Sequence, residues 1–124
     1  MAADKSFIKR DDRQELAAYW GRMWKVVSLE GGGGLFLVQF ADGVAHRWHH
    51  HPRHAEIVYV ASGSIEQAID GRGAAKLAAG DAAVIPRGVR HAARPLEPGT
   101  AVLVVLMGDG HDYESVEDPA GATA

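Results

Sequence analysis

The sequence predicts a small all-β fold, a single β-barrel preceded by an N-terminal arm. Three observations carry that expectation. From Trp24 onward, short apolar runs alternate with turn residues at near-regular spacing, the pattern of many short strands. No sustained helical periodicity interrupts them,. The chain of 124 residues fits one domain and is long enough to bury a core,. Many short strands without a long helix make a sandwich or barrel. A small closed barrel removes sheet edges and leaves an interior that can hold one small ligand.

Taken in order, residues 1–23 read as an N-terminal arm or a short helix. Asp12-Arg-Gln-Glu15 has capping-box spacing ahead of Leu16-Ala-Ala-Tyr-Trp20,. The competing reading is an extended arm that carries Trp20 and Trp24 onto the body or across to a partner. Both tryptophans are expected to pack in a core or interface. The barrel is expected over 24–107. Its candidate strands are Trp24–Leu29, Leu35–Phe40, Ala45–His50, Glu56–Ala61, Ser64–Ile69, Ala74–Leu77, Ala82–Ile85, Arg90–Arg94 and Thr100–Met107. Gly31–Gly34, Asp42-Gly43, Ser62-Gly63, Asp70–Gly73, Gly80-Asp81, Arg87-Gly88 and Glu97–Gly99 supply the turns between them,. Gly31–Gly34 is no phosphate loop, because it lacks a following Lys-Ser/Thr and leads into a strand,. Residues 108–124 are Gly-rich and acidic and read as a C-terminal tail.

Composition narrows the function. Hydrophobic residues make up 47% and charged residues 23%, an ordinary soluble balance,. A formal net charge of −3 gives no basic field for nucleic acid or an anionic membrane,. No apolar run is long enough for a signal peptide or a membrane span, so a cytoplasmic protein is expected,. The absence of cysteine excludes disulfides, thiolate metal sites and cysteine nucleophiles,. A metal would need nitrogen and oxygen ligands.

Such ligands crowd one stretch. Five of the seven histidines fall between His46 and His54, and Glu56 follows. On a strand, Arg47, His49 and His51 share one face, and His46, Trp48 and His50 share the other. On a helix, His46, His50 and His54 would align instead. Pro52 opposes the helix: inside one it costs about 3 kcal/mol and disfavours helical geometry at His51,. The strand reading leaves His46, His50 and His54 as surface or packing residues, with His54 able to overhang a pocket from its turn. A further ligand would have to come from far away, and His91 is the candidate in the downstream body.

At these residues the sequence resembles the cupin superfamily, in its small single-domain, quercetinase-like form. Gly43, His49, His51, Glu56 and Gly63 keep the spacing of the first cupin motif, and Gly80, Pro86, Gly88 and His91 that of the second. Pro95 stands where the second motif ends in Asn, a departure that affects a local turn and no metal ligand. The resemblance implies a double-stranded β-helix, or jelly roll. It implies one divalent transition metal (Fe, Mn, Ni or Zn) held by His49, His51, Glu56 and His91, and it allows Glu56 to leave the metal and act as a catalytic base. It also implies a homodimer.

Two further residues are expected at a substrate. Arg47 shares strand parity with His49 and His51, where a guanidinium would suit an anionic substrate. Gln67, between Ile65 and Ile69, is a polar group expected on the barrel face and in need of a partner or ligand,. Tyr59 and the pocket-side residues of Leu35–Phe40 are expected to pack. The leading functional expectation is a metal-dependent, dioxygenase-type oxidoreductase acting on a small oxygen-rich molecule. One rival is a non-oxidative metal-dependent isomerase, cyclase or lyase of a sugar acid or polyketide-like substrate. The other is a non-catalytic binding or sensing module.

Overall fold

In a computed structural model, residues 6–108 and 115–118 are described. The strands are β1 (Gln14–Ala18), β2 (Gly21–Ser28), β3 (Gly34–Phe40), β4 (His46–His50), β5 (His54–Ser62), β6 (Ser64–Ile69), β7 (Gly73–Ala78), β8 (Ala82–Ile85), β9 (His91–Pro95), β10 (Ala101–Gly108) and β11 (Val116–Glu117). They form two antiparallel sheets, ordered β1-β2-β3-β10-β5-β8 and β11-β4-β9-β6-β7. This is the jelly roll expected from the sequence, with no α-helix among the described residues.

Alternation along the strands builds the core. On β3, Phe36, Val38 and Phe40 are buried, while Leu35, Leu37 and Gln39 lie on the outer face,. On β5 the inward set is His54, Glu56, Val58 and Val60. Tyr59, expected to pack, lies on the opposite face of β5 and is exposed. Ile65 of β6, Ile85 of β8 and Leu106 of β10 complete the most deeply buried apolar positions. Truncating Phe36 or Ile65 to alanine would cost about 3 kcal/mol in lost burial and cavity formation.

Gly63 makes the turn between β5 and β6. Its φ is +73°, and a Cβ there would run into Thr100. A left-handed conformation combined with a close approach admits glycine and little else.

Two expectations are corrected at the chain's ends. The capping-box helix does not form. A short 3-10 turn at Arg10–Asp12 leads instead into β1, paired residue for residue with β2. Glu15, the expected capping-box partner of Asp12, receives both Arg22 Nε and Nη2 at 3.1 Å across that hairpin. The extended path lets Trp20 reach the core, where it is buried against Phe40 of its own barrel. Trp24 lies on the outer face, with the guanidinium groups of Arg13 and Arg22 over its ring at 4.8 and 4.7 Å,. Within the expected tail, Val116 and Glu117 pair with β4 opposite His50 and His49. Asp118 follows, accepting from Arg90 and donating its N–H to Trp48 O. His111 lies outside the described residues.

Candidate metal centre

Both sheets contribute to one cluster. His49 of β4 lies directly opposite His91 of β9. Glu56 faces inward from β5 in the other sheet, and His51 sits in the turn that joins β4 to β5. The turn after β8 is tied to that position, because Gly88 N–H donates to His51 O at 3.0 Å. This bond explains the Pro86-x-Gly88-x2-His91 spacing. Pro86 and Gly88 shape a turn whose end delivers His91 beside His51.

His49, His51, Glu56 and His91 are all buried, and one ligand atom from each lies within 4.8 Å of the others. Backbone carbonyls orient two of the rings. His49 Nδ1 donates to Arg47 O at 2.7 Å and His91 Nδ1 to Val89 O at 2.9 Å. Each bond fixes the tautomer and turns Nε2 towards the centre, the arrangement that metal-ligating histidines use. Glu56 Oε1 sits 3.0 Å from both His51 Nε2 and His91 Nε2.

The electrostatics follow from that packing. Burial pushes the Glu56 carboxyl up, but the hydrogen bonds from His51 and His91 outweigh it and hold the group well below the usual carboxylate range,. Burial also disfavours charge on His91, yet its bond to Glu56 leaves the imidazole above its ordinary value. His49 has no such partner. Burial, together with repulsion from His91, lowers it to about 4. The cluster therefore holds a fixed carboxylate and neutral or proton-releasing imidazoles, which suits a divalent cation. Donors bound at about 2.1 Å to one ion lie at most about 4.2 Å apart, so small side-chain adjustments close the observed arrangement around a metal.

The surroundings differ from strict strand parity. Pairing between β4 and β9 shifts register between His46 and His49. This bulge places an odd number of steps on one face. His46 turns inward and stacks on His49, with ring centroids 3.7 Å apart and planes 18° apart. Trp20 covers its other face at 4.5 Å. Burial first, and then His49, lower the His46 imidazole to about 2. Sequence reasoning missed His46. A signal lay in Trp20, an aromatic residue positioned to cover it, but no local pattern announces a bulge.

The same bulge corrects Arg47. Its guanidinium points out of the barrel, 4.5 Å over the Tyr19 ring and 3.9 Å from Glu117, and its N–H donates to Tyr19 Oη. It does not reach the cluster. Gln67 does face inward. It is buried, and it lines a cavity of about 70 Å³ with the four clustered residues, His46 and apolar side chains such as Met23, Phe40, Val58 and Leu106. Its Nε2 donates to Ala92 O and Ala68 O at 3.1 and 3.3 Å, while Oε1 is buried with no hydrogen-bond partner. Leaving such an acceptor unsatisfied costs about 1–3 kcal/mol, so the position is suited to a ligand's donor. His54 is almost fully buried and packs away from the cavity, and His50 lies half-buried on the outer side of β4 beside Val116.

A two-sheet β-barrel whose apolar cavity is lined by a buried cluster of three imidazoles and one carboxylate defines a class of barrels with a candidate metal site. Residues 36–107 match the cupin domain family, and the chain belongs to it. None of the curated protein sequences matches it. Among solved structures, KdgF from Halomonas sp. is similar at 27% identity and a TM-score of 0.74, over 85% of this chain and 96% of that one. Oxalate oxidase in complex with the substrate analogue glycolate is 26% identical with a TM-score of 0.60, over 67% of this chain and 45% of the other. This chain thus spans less than half of that enzyme. The DMSP lyase DddQ from Ruegeria pomeroyi shares the fold at 21% identity and a TM-score of 0.78, over 90% of this chain and 64% of that one.

Proposed function

We propose that the protein is a metal-dependent enzyme acting on a small oxygen-rich organic molecule, with His49, His51, Glu56 and His91 holding one divalent transition metal. The observation that carries this reading is the convergence of four buried ligand atoms at the floor of a cavity. When bound, the ion would supply Lewis acidity, polarising a carbonyl, stabilising an enolate or acidifying bound water. Glu56 contributes the single negative charge of the ligand set. His49 and His91 are held in one tautomer by Arg47 O and Val89 O. The apolar walls limit water around the reacting atoms, and Gln67 Oε1 offers a hydrogen-bond acceptor.

Dioxygenase-type oxidation is our first reaction class. A nitrogen-rich ligand set accepts iron, manganese or nickel as well as zinc, and an octahedral ion with four protein ligands keeps two open positions. Similarity to an oxalate oxidase supports an oxidative reaction, without choosing the dioxygenase type. The decisive experiment combines elemental analysis of the purified protein with oxygen uptake on diol and enol substrates after loading with iron, manganese or nickel. Metal at one ion per chain with substrate-dependent oxygen uptake supports the reading. Turnover under strict anaerobiosis with zinc would instead select the non-oxidative isomerase or lyase reading. Protein purified without metal, with His49→Ala as stable as the parent, would select the binding module. Our proposal includes a homodimer, which sedimentation equilibrium tests directly. No helix among the described residues is long and apolar enough to cross a membrane.

A further inference from the structure

The charge distribution around the cavity narrows its ligand. Neither lysine nor arginine is among the described residues that line it. The nearby guanidinium groups are committed elsewhere. Arg47 lies over Tyr19 and near Glu117, while Arg90 pairs with Asp118 and Asp70 and lies over Trp48. Ser115 lines the cavity, and Glu117, two residues on, lies 3.4 Å from His46 Nε2. At the β11 edge Glu117 and Asp118 lie against Arg47 and Arg90, so these two guanidinium groups are held away from the cavity.

Among the described residues, a ligand whose body carries a negative charge would meet mainly apolar walls and no counter-charge except at the cluster itself. Removing a carboxylate from water without such a partner is strongly unfavourable. Among the described residues that line the wall, Gln67 Oε1 is a buried polar atom without a partner. Gln67 has both amide hydrogens directed at backbone carbonyls, so its free Oε1 can only accept a hydrogen bond,.

We propose that the substrate is a hydroxylated chelator with an uncharged body, and not a carboxylate-bearing acid whose charge lies away from the metal. A diol or enol supplies the chelating oxygens, an apolar ring or chain fills the cavity, and a further hydroxyl donates to Gln67 Oε1. The inference rests on the metal-site reading and deepens it.

Calorimetry on the zinc-loaded protein under argon tests the class without turnover. The probes are 4-methylcatechol against 3,4-dihydroxybenzoate, and pyrogallol and 1,2,4-trihydroxybenzene against their methoxy counterparts at the non-chelating position. We expect 4-methylcatechol to bind at least about tenfold more tightly than the carboxylate. At least one trihydroxy probe should bind about fivefold more tightly than its methoxy partner. Gln67→Leu should abolish the second preference and keep the first. If that variant does not fold, the wild-type order of the probes stands as the test. Failure to take up zinc overturns the metal-site reading. Zinc uptake with the carboxylate bound as tightly as 4-methylcatechol overturns the substrate class alone. Zinc uptake with no hydroxyl preference, or one that survives Gln67→Leu, overturns the role of Gln67.

Discussion

His46 and His49 lie three residues apart on one strand, yet their rings stack at 3.7 Å on the same face of the sheet. The β4–β9 bulge makes this contact, and Trp20 closes the stack from the other side. His46 thus restrains a ring that offers its Nε2 to the cluster.

Replacing His46 with alanine should loosen that ring. We expect metal affinity to fall about tenfold, the lower end of what supporting residues contribute. His46→Phe keeps a flat ring between Trp20 and His49 and should retain most of the affinity. Competition titrations with a chelator distinguish the two variants.

Glu56 carries more. Glu56→Gln removes the carboxylate that His51 and His91 share. Metal binding should be lost at micromolar concentrations. The metal-free variant should also lose about 3 kcal/mol of stability at pH 6, because a buried charge partner is removed. Urea unfolding of the metal-free proteins, compared with elemental analysis of the loaded ones, measures both effects.

The histidines also set a pH dependence. His49 and His46 are lowered in the fold, to about 4 and about 2. Between pH 6.5 and 4 the unfolded chain binds protons there that the native state refuses. Stability from these two groups is present above the unfolded value and declines as pH falls, by up to about 1.4 kcal/mol per histidine per pH unit. His91, raised in the fold, works with opposite sign, adding stability at low pH that is lost as pH rises through its folded value. Two groups against one leave a net loss on acidification. Calorimetry of the metal-free protein should show the melting temperature dropping from pH 6.5 to 4, and a flat profile would contradict this balance.

Gly63→Ala should destabilise the barrel by about 2 kcal/mol, through left-handed strain and the approach of Thr100. The site lies elsewhere, so metal stoichiometry of the folded fraction should not change. Urea melts of the loaded protein report the first effect and elemental analysis the second.

Much of the architecture was legible because its causes are local. Ser64–Ile69 and Ala82–Ile85 are strands with the limits that apolar runs and flanking turns mark out, and the other barrel strands differ by only a few residues at their ends. Gly63 and Gly88 stand where turns need positive φ. The set His49, His51, Glu56 and His91 was expected from the cupin resemblance, and the fold brings one ligand atom from each within 4.8 Å of the others.

By itself, the sequence determined the all-β class, the strand succession and the two motifs whose resemblance to the cupins implied the four converging side chains. The class and the succession rest on alternation and turn chemistry within short segments. Tertiary structure alone decided the rest. Whether Glu15 completes a capping box with Asp12 or pairs with Arg22 depended on a β2 strand to pair with. Whether Val116 and Glu117 trail or join a sheet depended on the free edge of β4. The orientation of Arg47 and His46 depended on a bulge, a mismatch between two strands that neither strand encodes alone,. Period-two reasoning fails at such a point, which is why the arginine lies outside and the histidine lies against the site.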